Sequence, residues 1–196
     1  MKKIISLAIV ISTLVLALCS CGASDKRGIH HVEMTFENYG TVKIALYGDI
    51  APITVKNFLD LAKSGYYNGT SIIRVQSGFV IQGGSGAGTS TIKGEFTKNG
   101  VNNTIKHKRG TISMARSNAL NSASDQFFIC LDDSSASVLD GAYAGFGEVT
   151  EGMEVIDAIV ESLKSSDFND DAYYGGYMGF LKPTSYIKIE SVKVID

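Results

Sequence analysis

The sequence predicts a mainly β protein, an eight-stranded closed antiparallel β-barrel capped by two α-helices. Three observations carry that expectation. About eight short segments rich in Val, Ile, Phe and Thr follow one another, separated by glycine-, serine- and asparagine-rich stretches. Only two segments show the apolar period of a helix, and they lie far apart in the chain. There is no βαβ rhythm and no internal repeat, so the strands must pair antiparallel, and closing the sheet removes its edges.

In chain order, the first residues differ in kind from the rest. Lys2 and Lys3 precede "IISLAIVISTLVLAL", an apolar run of export-signal length that ends in "LCSC" rather than in a stop-transfer pattern. "LCSC" resembles a bacterial lipobox, with Leu18 three places and Ser20 one place before Cys21. Cys19 fits less well, because Leu18 would then occupy the small-residue position. The resemblance implies that residues 1–20 are a lipoprotein signal peptide and that Cys21 carries a diacylglyceryl thioether and an N-acyl chain. More than one acyl chain is what stable anchoring requires. Residues 21–29 are then a short tether, spanning roughly 30 Å when extended at ~3.5 Å per residue. Residues 30–196 form one domain held close to the membrane, outside the cytoplasm.

Next, "HHVEMTF" and "TVKIALY" alternate as paired strands do, and "ENYG" between them supplies the Asn and Gly of a tight turn. "APITVKNFLDLAKSGYYNG" places Val55, Phe58, Leu59 and Ala62 on one helical face, with Pro52 at the entrance and Gly65 past the last turn. Strand candidates follow: "SIIRV", "GFVIQGG", "GTISMA", "QFFICL" and "AGFGEV". A second helical stripe runs through Met153, Ile156, Ile159 or Val160, and Leu163, and the alternating "YIKIESVKVI" closes the chain. Between these last two lies "KSSDFNDDAYYGGYMGFLKP", a long aromatic-rich loop that is either functional or floppy.

Composition excludes several function classes. With 196 residues and a net charge of -2 the chain can bury a real core, and it lacks the basic excess of a nucleic-acid binder. Once the signal is removed and Cys21 modified, only Cys130 is left, so no internal disulfide is expected and the thiol reads as a buried structural one. "GGSGAG" has neither the lysine nor the helix of a phosphate loop. Asp167, Asn169 and Asp171 have calcium-loop spacing, but Ala172 and Met178 stand where glycine and glutamate are needed. His30, His31 and His107 show no metal-ligand pattern, and no activated nucleophile is visible. No cofactor and no metal are expected.

What remains is Arg74, Gln82, Gln126 and a surplus of phenylalanines. Alternation puts Val80 and Gln82 on one side of their strand, with Phe79 and Ile81 on the other, and groups Gln126 with Phe128. A hydrogen-bonding amide beside a large apolar group suits a peptide groove better than a sealed core.

The segments "RVQSGFVIQGG", "GTISMARS", "NSASDQFFIC" and "LDGAYAGFGEVTEGMEVIDAI" occur in an order and spacing that resemble the cyclophilin-type peptidyl-prolyl cis/trans isomerases, from about His30 to the last strand. The resemblance implies a catalytic arginine at Arg74, an aromatic pocket wall at Phe79, a carbonyl-binding amide at Gln82 and a second phenylalanine at Phe128. Val80 and Leu139 complete a proline pocket. Ala115, Arg116 and Gln126 line the adjoining groove, the backbone of Arg116 binding extended peptide. Tyr143 stands where many eukaryotic members have histidine. The implied partners are proline-containing segments of exported or unfolded proteins, and the membrane through the anchor. The implied chemistry is cofactor-free, and the default state is a monomer. A non-catalytic chaperone or adhesin module on the same barrel is the alternative. Val138 replaces the tryptophan that donates a hydrogen bond to cyclosporin, so weak cyclosporin binding is expected. Asp125 and Leu120 replace residues that are usually small or proline, and the charge of Asp125 is expected to favour basic neighbours of the proline.

Overall fold

The computed structural model describes residues 27–169 and 179–196. The signal segment, Cys21 and most of the tether lie outside the described residues, as do Asp171, Ala172 and Met178.

Strand β1 (Ile29–Phe36) pairs with β2 (Gly40–Tyr47) from Ile29↔Tyr47 to Phe36↔Gly40, and Asn38 turns the corner at φ 68°. This is the hairpin that the alternation predicts. Helix α1 (Pro52–Lys63) follows, with Val55, Phe58, Leu59 and Ala62 buried as a single stripe. Its start is closed from a distance. The Glu95 carboxylate accepts the Ile53 and Thr54 N–H groups at 3.1 and 2.8 Å and the Thr54 hydroxyl at 2.7 Å, a negative charge where the helix dipole favours one.

The chain then lays down β3 (Ser71–Gln76), β4 (Val80–Gly83), β5 (Thr111–Met114), β6 (Phe127–Cys130), helix α2 (Ala136–Leu139), β7 (Gly145–Glu151), helix α3 (Met153–Ser162) and β8 (Ile187–Val194). The eight strands close in the order β1-β2-β7-β5-β6-β4-β3-β8 with every pairing antiparallel. The expected barrel is therefore present, with three α-helices rather than two among the described residues. The additional one, α2, is a single turn, too short to leave an amphipathic stripe in "SSASVLD"; it continues a 3-10 turn in which Asp132 accepts the Ser134 N–H at 2.8 Å.

Inside and outside of the wall hold different clusters. Ile81, Ile112, Met114, Phe127, Ile129 and Phe146 point inward and meet α1 through Phe58, whose ring lies 5.8 Å from Phe127 and 5.3 Å from Phe146. Burying such a side chain contributes about 1.5–3 kcal/mol, so α1 is fixed mainly by this stripe. Val80, Phe128, Cys130 and Leu139 form a second, smaller cluster, with Phe79, Ala115 and Tyr143 packed against it. The same short strands β4 and β6 thus supply the core with one set of residues and the outer wall with the other.

Candidate active site

Strand register aligns four side chains on that outer wall. Arg74 on β3 opposes Gln82 on β4, Gln82 opposes Phe128 on β6, and Phe128 opposes Ser113 on β5. Opposed residues of an antiparallel pair share a face with Cβ atoms about 5 Å apart. Four strands therefore deliver a cation, an amide, an aromatic ring and a hydroxyl in one line.

The polar end of the line is held by amides. Arg74 donates from Nη1 to Gln82 Oε1 at 3.1 Å and from Nη2 to Gln76 Oε1 at 2.6 Å, and Gln82 Nε2 donates to Gln126 Oε1 at 3.0 Å. Burial lowers the Arg74 guanidinium from its usual value, an effect that Tyr143 opposes; an arginine remains charged through such a shift. The charge is thus aimed without being buried completely.

The apolar end is a slot. Phe79, Val80, Phe128, Leu139 and Tyr143, together with Ala115, Arg116, Gln82 and Arg74, surround a cleft of about 300 Å³. Tyr143 meets Phe128 edge-on at 5.6 Å. Alternation assigned Phe79 to the Ile81 side, yet Phe79 lines the slot with Val80. It ends the turn before β4 and is not a strand residue: its N–H donates to Gln76 O at 3.0 Å, and its carbonyl accepts the Leu131 N–H at 2.8 Å.

Nine of the ten residues assigned to the site from sequence meet in this cleft. The tenth, Gln126, lines an adjoining recess of about 270 Å³ that shares Gln82, Ala115 and Arg116 with it. Arg116 folds its side chain back onto the wall. Nε donates to the Ala142 carbonyl at 2.9 Å, and the guanidinium carbon lies 5.0 Å from the Phe96 ring centroid and 4.7 Å from that of Tyr143. Its main chain lies just beyond the Ala115 N–H bond to Gln126 O, 2.9 Å, where strand pairing stops. Asp125 also borders the recess, but it is buried and accepts hydrogen bonds from the Tyr66 hydroxyl, the Ser124 hydroxyl and the Gly86 N–H. It offers a ligand a field rather than a free acceptor. Burial acts to raise its pKa, but those bonds outweigh it and hold the carboxyl below the usual range.

A layer behind the slot was not legible in the sequence. His107, 1% exposed, stacks on Phe128 with centroids 6.1 Å apart and bonds Asp140 Oδ1 and Ser113 Oγ, each at 3.0 Å. A neutral ring protonated on Nδ1 satisfies both partners, donating to Asp140 and accepting from Ser113. Burial lowers the His107 pKa below its ordinary value, against the opposing pull of Asp140. The lone polar Ser113 between Ile112 and Met114, six residues from His107, was the local sign; Asp140 and Phe128 come from segments farther along the chain. Cys130, buried in the same cluster, has its thiol pushed up to about 12 by burial, as suits a structural thiol.

Fold and site define a class: a closed barrel that presents an aromatic slot beside a fixed cation on its outer wall. The family described as "Cyclophilin type peptidyl-prolyl cis-trans isomerase/CLD" matches residues 31–194. Peptidyl-prolyl cis-trans isomerase A of Dickeya dadantii is 39% identical over 172 residues, 84% of each chain. Peptidyl-prolyl cis-trans isomerase B of Escherichia coli is 44% identical over 131 residues, 62% of this chain and 79% of its own. A Cryptosporidium parvum cyclophilin type isomerase superposes with TM-score 0.67 at 26% identity, covering 86% of this chain and 99% of its own; its structure in the presence of the dipeptide Ala-Pro gives 0.66 at 28%, covering 85% and 99%. The chain belongs to the cyclophilin-type peptidyl-prolyl cis-trans isomerases, a family of enzymes that turn the bond preceding proline.

Proposed function

We propose that this enzyme accelerates the isomerisation of X-Pro bonds in proline-containing segments of exported or unfolded proteins, and that Arg74 carries the catalysis. The supporting observation is the register line that sets the Arg74 guanidinium beside an apolar slot. Rotation about the bond has a barrier of about 18–20 kcal/mol because amide resonance is lost midway. As the amide twists, the proline nitrogen becomes pyramidal and basic. A donor aimed at that nitrogen binds the twisted form more strongly than either planar isomer, and only such differential binding speeds the step.

The other residues hold the reactant. Phe79, Val80, Phe128 and Leu139 grip the proline ring, and Gln82 restrains the carbonyl side. Ala115, Arg116, Gln126 and Tyr143 shape the groove for the flanking chain. No bond is made or broken, and no cofactor takes part. The test is a protease-coupled isomerisation assay with the full chain and its Arg74→Ala variant. Loss of a preorganised donor is expected to lower kcat/KM by about 10²–10³-fold. A wild type no faster than the variant favours the alternative, a barrel that binds proline segments without turnover.

The place of action is the outer surface of a bacterial membrane, with the lipid anchor on Cys21. The lipobox-like "LCSC" after an apolar run supports this reading. The wild type should incorporate labelled palmitate and Cys21→Ala should not; a wild type that takes up no label would count against the anchor.

A further inference from the structure

The register line does not stop at Arg74. On the other side of β3, Phe180 forms an antiparallel bridge with Arg74, so its side chain shares the outer face with Arg74, Gln82 and Phe128. The backbone there is pinned on both sides. Val75 N–H donates to Gly179 O at 2.7 Å, Leu181 N–H to Ile73 O at 2.9 Å, and Asn169 N–H to Phe180 O at 2.9 Å. Leu181, the next residue, is 2% exposed in the main core. Gly179 has φ +72°, and a Cβ there would lie 2.3 Å from the Val75 carbonyl oxygen, so only glycine permits this approach. The result is two aromatic rings at the guanidinium. The Arg74 carbon Cζ lies 5.8 Å from the Phe180 centroid and 6.0 Å from that of Phe79, both within the range of cation–π attraction.

We propose that Phe180 is a positioning residue for Arg74, holding the guanidinium in the orientation that the twisted imide requires. This rests on the role given to Arg74 above. An arginine side chain has large rotameric freedom, and a donor fixed in advance need not be ordered as the amide turns. The amides of Gln82 and Gln76 fix the fork from within the sheet, and the two rings fix its faces. Phe180 is absent from the slot that would take the proline, so its effect reaches the substrate through Arg74.

The test compares Phe180→Leu, which keeps apolar bulk but has no aromatic face, with Phe180→Tyr, which keeps the face, in the full chain. Phe180→Leu should lower kcat by about tenfold with little change in KM, as expected for an interaction that acts only in the transition state. Phe180→Tyr should restore most of the rate. A second readout does not depend on turnover: the Arg74 Nε–H order parameter, measured by NMR, should fall in Phe180→Leu and recover in Phe180→Tyr. If Phe180→Leu keeps both the wild-type kcat and the wild-type order parameter, the proposal is overturned. If the leucine and tyrosine variants are equally impaired, the aromatic face is not the cause and the proposal again fails. An order parameter that responds as expected in a protein whose wild-type rate equals that of Arg74→Ala would support the positioning while removing the catalytic role of Arg74.

Discussion

Replacing Gln82 by glutamate changes one atom's identity and tests the electrostatic core of the reading. Gln82 Oε1 accepts from Arg74 at 3.1 Å, so Gln82→Glu places a carboxylate directly on the guanidinium. Two unit charges about 4 Å apart attract by about 4 kcal/mol at an effective dielectric of about 20. That attraction is the same whether the bound imide is flat or twisted, so it does not itself alter the barrier. Its effect is to cancel positive potential where the proline nitrogen gains basicity. A preorganised donor is worth about 2.7–4 kcal/mol, and losing half of that slows the reaction about 10- to 30-fold. Stability should not fall, because the Gln126 amide can turn to donate to the introduced carboxylate across the present 3.0 Å contact. The assay is kcat/KM by protease-coupled isomerisation at neutral pH, with melting temperature as control and Gln82→Met as the uncharged variant of similar length. Gln82→Glu should be clearly slower than Gln82→Met. Equal losses in the two variants, or a glutamate variant within about twofold of wild type, would refute the claim that the Arg74 charge lowers the barrier.

Other outcomes follow from the same site. Val138 is 61% exposed and has no donor, so cyclosporin should bind weakly, and Val138→Trp should tighten binding about five- to tenfold, the worth of one hydrogen bond; an unchanged inhibition constant would contradict this. The neutral form of His107 is favoured by burial, its folded pKa lying below the unfolded value of 6.5. Its contribution is therefore complete above that value and is lost as pH falls through it toward the folded pKa. Urea midpoints should drop on acidification through this window, and His107→Gln should flatten the slope; an equal slope in both proteins would show that His107 is not the titrating group. The Cys130 thiol, pushed up to about 12, should resist iodoacetamide in the native protein and react only on unfolding; rapid native-state labelling would mean that the second cluster opens.

The barrel was legible because its strands alternate cleanly, and β4 and β6 show this best: Ile81, Phe127 and Ile129 inward, Gln82 and Phe128 outward. Nine residues that line the slot and their neighbour Gln126 were likewise readable, since they lie within the four segments that carry the family resemblance. Phe79 was assigned to the wrong face because alternation holds only while the chain is a strand, and this residue sits in the turn before it. The His107–Ser113–Asp140 group joins segments distant in sequence through a buried ring, and no periodicity marks such a meeting. Phe180 was hidden for a similar reason. It touches β3 through an isolated bridge in what reads as a loop, so neither strand nor helix rules point to it.

A long polypeptide reaches this site from the side. The slot lies on the outer wall of a closed barrel whose interior is filled with side chains, so nothing has to be threaded through a tunnel and no chain terminus is needed. A proline in the middle of a chain can be engaged sideways, turned and released while both ends are held elsewhere.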